Sequence, residues 1–195
     1  MTAIPAEQSR SFWQTNRGVL ALCFFVLELL FFATDSVGVP AHAYVSGDVG
    51  GTPYLSVWFM VSFLIPAALV MPVVGSLKAR FGAKTLAIFG PGLFGIACLI
   101  SSMAQDPQLF IAMRIFQGIG GGFIPAVAGG YLGGELGKEY TTMGKGMVAL
   151  ACVSGACIGI PISAMITWHL SWRLLYVLTG IIALIAVSII FKLMP

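Results

Sequence analysis

Charge is what this sequence has least of. Only 9% of its 195 residues are Asp, Glu, Lys or Arg, against 58% hydrophobic residues and a mean hydropathy of +0.98. That balance excludes an ordinary soluble domain and predicts a polytopic membrane protein. The net charge of +3 is too small to argue for a nucleic-acid partner, and none is expected. Histidine occurs twice and cysteine four times. Cys23, Cys98, Cys152 and Cys157 all fall in apolar runs, with no CxxC pair and no nearby His, so they read as packing residues and no metal site is expected. His42 and His169 lie near expected helix ends and read as solvated caps. No GxGxxG or GxxxxGK[ST] loop occurs, and the glycines from Gly118 to Gly122 sit inside an apolar run with no strand before them. ATP-driven transport by this chain, cofactor chemistry and a Ser/His/Asp type of enzyme are therefore not expected.

Long apolar runs are abundant. Six segments reach the length of about 20 residues that a bilayer requires. They are placed at Gly18–Tyr44, Tyr54–Leu77, Thr85–Met103, Gln108–Leu132, Gly146–Trp168 and Leu174–Phe191, giving one all-α six-helix bundle over residues 1–195. The polar first residues, Met1 to Arg17, lack the pattern of a cleaved secretory signal, so the first apolar run is expected to be a retained helix. Connections are short, and they carry Ser46-Gly47-Asp48, Lys78-Ala79-Arg80-Phe81-Gly82, Gln105-Asp106-Pro107, Glu135 to Lys145 and His169 to Arg173. With the amino terminus in the cytoplasm, Arg10, Arg17, Lys78, Arg80, Lys84, Lys138, Lys145 and Lys192 fall inside and only Arg173 outside. This is a positive-inside distribution, and an even number of spans returns the carboxyl terminus to the cytoplasm of a cell membrane.

Glycine and proline punctuate the spans. Gly118/Gly122 and Gly155/Gly159 have the small-xxx-small spacing that lets helices approach closely, and Pro125 and Pro161, with Pro66, Pro72 and Pro91, bend helices from within. Static packing and helices that rock are both compatible with this pattern, and the buried charge favours rocking.

That charge is Arg114. A guanidinium cannot be shed by deprotonation and is costly in a bilayer unless it finds a partner or a wet cavity. The other ionisable residues deep in the spans are Glu28 and Asp35, seven residues apart and so on one side of the first helix. Counted from the helix ends at 1.5 Å per residue, Glu28 and Arg114 fall at about the same depth, with Asp35 nearer the outer mouth. Helices one and four are therefore expected to face each other, with Glu28 as the partner of Arg114. A carboxylate that gains and loses such a partner can take up and release a proton, as a proton-coupled carrier requires. The competing reading is a static ion pair that fixes helix register. Gln117 is a candidate substrate contact or a partner of the arginine, and Phe31 and Phe32, beside Phe24 and Phe25, are candidates for an apolar substrate pocket.

These residues resemble the amino-terminal half of a major facilitator superfamily transporter, of the drug/proton antiporter, multidrug-efflux type. Leu109, Arg114, Gln117, Gly118 and Gly120 match the fourth-helix motif whose arginine is implicated in proton transfer. Gly75, Leu77, Arg80, Gly82 and Lys84 match the loop motif between helices two and three, with Ala79 in place of its acidic residue. Gly155, Gly159 and Pro161 are similar to the antiporter motif of helix five, with Ile160 where a glycine usually precedes the proline. The stretch from Ser36 to Pro40, with Ser46-Gly47-Asp48 after it, resembles the end of the first helix, whose usual acidic residue would fall near Phe31. Glu28 and Asp35 lie on either side, and which of them takes that role stays open.

The resemblance implies export of small, amphipathic molecules by alternating access coupled to protons, with Glu28, Asp35 and Arg114 as the coupling set and Gly75, Lys78, Arg80 and Gly82 in a cytoplasmic gate. It also implies a second six-helix half, from another copy, from a separate chain or from the remainder of a longer chain. The end at Pro195, just after Lys192, is similar to the start of a linker between halves. A non-transporting scaffold subunit and a facilitative uniporter or importer remain as alternatives.

Overall fold

A computed structural model describes residues 16–135 and 140–194, without the side chains of residues 35–41, 133 and 135. Six long helices form one bundle: α1 (Asn16–Asp48), α2 (Leu55–Phe81), α3 (Ala83–Ser102), α4 (Pro107–Gly130), α5 (Thr141–His169) and α6 (Trp172–Leu193). Each contains a stretch long and apolar enough to cross a membrane. A π turn, Tyr131–Glu135, continues α4. Among the described residues there is no β-strand, and the all-α six-span expectation holds.

The helices run further than hydropathy indicated, because polar residues at a helix end still complete backbone hydrogen bonds. Ser46, Gly47 and Asp48 belong to the last turn of α1 rather than to a loop, and Lys78 and Arg80 to the last turn of α2. The connection from α2 to α3 shrinks to Gly82, whose φ of +85° suits glycine and whose N–H donates to the Lys78 carbonyl at 2.9 Å. At the start of α4, Asp106 accepts a hydrogen bond from the Leu109 N–H at 2.8 Å and Pro107 occupies the first turn, a sequence-encoded start. Ser171 caps α6 by accepting from the Arg173 N–H. Arg10 and Lys138, counted in the charge asymmetry, lie outside the described residues.

Small residues set the packing. α2 and α4 run parallel, and a Cβ on Gly118 would strike the Phe63 carbonyl, while one on Gly122 would come within 2.6 Å of the Ala67 carbonyl. Gly120, on another face of α4, would meet the Phe94 amide of antiparallel α3 at 2.5 Å. α5 lies along α1 through Gly155 against the Leu29 carbonyl and Gly159 against Ala33. Gly180 joins α6 to Gly95 of α3. The small-xxx-small pairs thus bring backbone onto backbone as their spacing predicted, where a side chain would force the helices apart. Pro125 and Pro161 lie inside α4 and α5.

Candidate functional site: a buried arginine and a separate buried carboxyl

Arg114 is fully buried on the face of α4 that meets α2. The positions Arg114, Gly118 and Gly122 advance one turn at a time, as do their neighbours on α2, Phe59, Phe63 and Ala67. This parallel register, made possible by the two glycines, brings the guanidinium onto backbone. Its Nε donates to the Phe59 carbonyl at 2.8 Å and its Nη1 to Gln117 Oε1 at 3.0 Å, and its carbon stands 4.4 Å from the centre of the Phe63 ring. Gln117 is anchored in turn: its Nε2 donates to Ser101 Oγ at 2.6 Å and to the Ala97 carbonyl at 3.4 Å on α3. Nη2 of Arg114 has no hydrogen-bond partner among the described residues. A carbonyl, an amide oxygen and a ring face thus offset the cost of burying the charge, with the Nη2 group left over.

Glu28 is not the partner of Arg114. No ion pair or hydrogen bond joins the two, and Glu28, only 1% exposed, leaves Oε2 without a partner among the described residues. The register of α1 on α4 explains the separation. Phe31 lies against Gly121, with its ring 3.0 Å from where a Cβ would stand, and the His42 ring meets that of Phe110 at 6.5 Å. Arg114 is seven residues from Gly121 toward the start of α4, and Glu28 three residues from Phe31 toward the start of α1. In this antiparallel pair the offsets add to about 15 Å of helix rise. Depth counted from helix ends failed because α1 continues to Asp48 instead of ending at Tyr44. Asp35, one turn beyond Phe31, is the acidic position nearer the level of Arg114, and its side chain lies outside the described residues.

Other site candidates divide between core and surface. Phe31 is buried, packed against the rings of Phe63 at 5.6 Å and Phe32 at 5.2 Å, so it belongs to the α1–α2–α4 core. Phe32 is half-buried, at the α1–α5 contact beside Gly155. Gln117 is wholly buried and holds the arginine, the second of its two expected roles. Of the gate candidates, Gly75 and Arg80 are exposed, Arg80 lies over the Phe81 ring at 5.4 Å, and the Lys78 Nζ comes within 3.4 Å of where a Cβ on Gly130 would stand.

Two features escaped the sequence reading. His42 is not a solvated cap. It is buried inside α1, edge-on to Phe59 and Phe110, with Nε2 unpartnered among the described residues. At the same end of the bundle, Asp48 accepts from Arg173 Nη2 at 3.1 Å and from Trp172 Nε1 at 3.0 Å, while Arg173 Nη1 donates to the Ser102 carbonyl at 2.9 Å. The connectivity alone could have suggested that pair, because the end of helix one and the start of helix six fall on one side of a six-span bundle.

A family model described as Major Facilitator Superfamily matches residues 20–195. The chain belongs to this superfamily of membrane transporters. Members similar to it include the MFS-type transporter YfiU of Bacillus subtilis, 27% identical over 86% of this chain and 33% of the relative. The multidrug resistance protein B homolog of Mycobacterium tuberculosis is 26% identical over 87% of this chain and 32% of its own length. The multidrug transporter protein MdtP of Bacillus subtilis is 24% identical over 89% and 32%. The chain spans about a third of the length of these relatives. Membership assigns the six helices to a bilayer and the chain to a family of transporters rather than of enzymes.

Proposed function

We propose that this chain forms one six-helix half of an exporter of small amphipathic molecules, working by alternating access coupled to inward proton movement. The observation that carries the reading is Glu28, a carboxyl buried inside a membrane bundle with an oxygen that no described residue satisfies. Its penalty is relieved by a proton, or by water or a cationic substrate when the bundle opens, and this differential is what couples a carrier to protons. Arg114, held by Phe59 and Gln117, fixes a positive charge further along the bundle, where Asp35 on α1 is its nearest acidic candidate. The names of two relatives, a multidrug resistance protein homolog and a multidrug transporter, favour an amphipathic substrate class. The opposite wall of the translocation path belongs to a second six-helix unit. The cytoplasm is on the side of Lys78, Arg80, Lys84 and Lys192, with both ends of the bundle there.

The test is dye movement in proteoliposomes containing only this chain, with an imposed pH gradient. Movement that needs the gradient and fails in Glu28→Gln and Arg114→Ala is the expected result if two copies complete the path. Gradient-independent movement would refute proton coupling. No movement from folded chain would refute self-sufficiency and direct reconstitution toward a separate second half.

A further inference from the structure

At the end of the bundle where α1 and α3 begin and α6 finishes, the structure holds an open cavity of about 710 Å³. The mechanism above makes no use of it. Arg17, from the first turn of α1, and Lys84, from the first turn of α3, line it, with Asn16 and Thr85 as neutral polar neighbours. No acidic residue stands among the described residues lining it. The two cations have no carboxylate partner among the described residues, and the Lys84 ammonium is instead poised 5.7 Å from the centre of the Phe191 ring. The rest of the wall is largely apolar, including Leu20, Phe81 and Leu193. Phe81 and Phe191 are both more than half exposed, an unusual setting for large aromatic rings unless they face lipid. The first turn of α3 follows Gly82 without a side-chain cap, which leaves amide donors on the same side as the two cations.

We infer that this cavity is a binding site for an anionic phospholipid. Arg17 and Lys84 hold the phosphate, Asn16 and Thr85 meet the polar headgroup, and the apolar wall takes the start of an acyl chain. Placement favours a lipid over a free anion. The cavity lies where three membrane-length helices end, at the level of the headgroups, and it joins a cationic rim to an apolar wall as a phospholipid joins a phosphate to its chains. Inorganic phosphate would use only the rim. The inference does not depend on proton coupling or on the substrate. Because one bound lipid would touch α1, the α2–α3 turn and α6 together, it would tie the beginning of the bundle to its end.

Native mass spectrometry of the full chain in a neutral detergent tests this, with equimolar phosphatidylglycerol and phosphatidylcholine of identical acyl chains. Two cations at a headgroup predict a preference for phosphatidylglycerol of about tenfold. The double variant Arg17→Gln/Lys84→Gln should bring the two lipids to parity. Lys84→Arg should keep the preference, and so should Lys145→Gln, which removes a cation that does not line the cavity. Retention of phosphatidylcholine by the double variant at the natural level shows that the bundle is intact. Equal retention of both lipids by the natural chain would overturn the inference, as would a preference that survives the double variant. Displacement of phosphatidylglycerol by millimolar inorganic phosphate would also overturn it, since the site would then recognise a free anion.

Discussion

Arg114 and Gln117 form a unit in which each needs the other. Replacing Gln117 by Leu strips the guanidinium of an acceptor and leaves a charged group buried with neither Nη group paired to a described residue, so Gln117→Leu should cost about 2 kcal/mol. Arg114→Met removes the charge together with its need for partners and should cost less, and the double variant should lose less than the sum of the two. Unfolding in mixed detergent would measure all three, and strict additivity would contradict the coupling. The sequence made Arg114 conspicuous because a lone cation in a long apolar run has few explanations. Its partners were not legible, since a backbone carbonyl such as that of Phe59 is available on every residue and only the helix register selects one. His42 was misjudged for the same reason: whether a histidine near a helix end is wet or buried depends on which neighbours cover it, here Phe59 and Phe110.

At the level of the helices, glycine decides who can touch whom. Gly118→Ala would press a methyl onto the Phe63 carbonyl and force α2 from α4, which should cost about 1–3 kcal/mol and break the contact between Arg114 and Phe59. Gly129→Ala, on the same helix with nothing within 4 Å of the new methyl, should be neutral or slightly stabilising. Equal effects in the same unfolding assay would contradict the packing argument. The pair of Asp48 and Arg173 ties the end of α1 to the start of α6, but both groups are partly exposed. Asp48→Asn should therefore cost at most about 1 kcal/mol, and less in high salt. The spacing of Gly118 with Gly122 and of Gly155 with Gly159 announced close contacts. It did not say that the first pair would meet α2 and the second α1, because small-residue spacing marks a face without naming its partner. Six spans were legible because bilayer thickness imposes a length that hydropathy detects, whereas the extra turns at Asp48 and Phe81 follow from hydrogen bonding.

For the whole molecule, the membrane bundle and its superfamily rest on features that extend over most of the chain, and the proposed coupling rests on a few side chains within it. Glu28 and Arg114, expected to form one pair, lie about 15 Å apart along the bundle by helix rise, so a buried carboxyl and a fixed charge are separated in space. Alternating access would then bring water or substrate to Glu28 when the bundle opens. The direct measurement is proton release: an amphipathic cationic dye added to the natural chain in weakly buffered detergent solution, with a pH indicator reading the protons set free. If Glu28 is the coupling group, dye binding releases protons, approaching one per bound dye, and Glu28→Gln binds dye with that release abolished. Undiminished release from a folded, dye-binding Glu28→Gln variant would contradict the assignment and move the proton site elsewhere in the bundle.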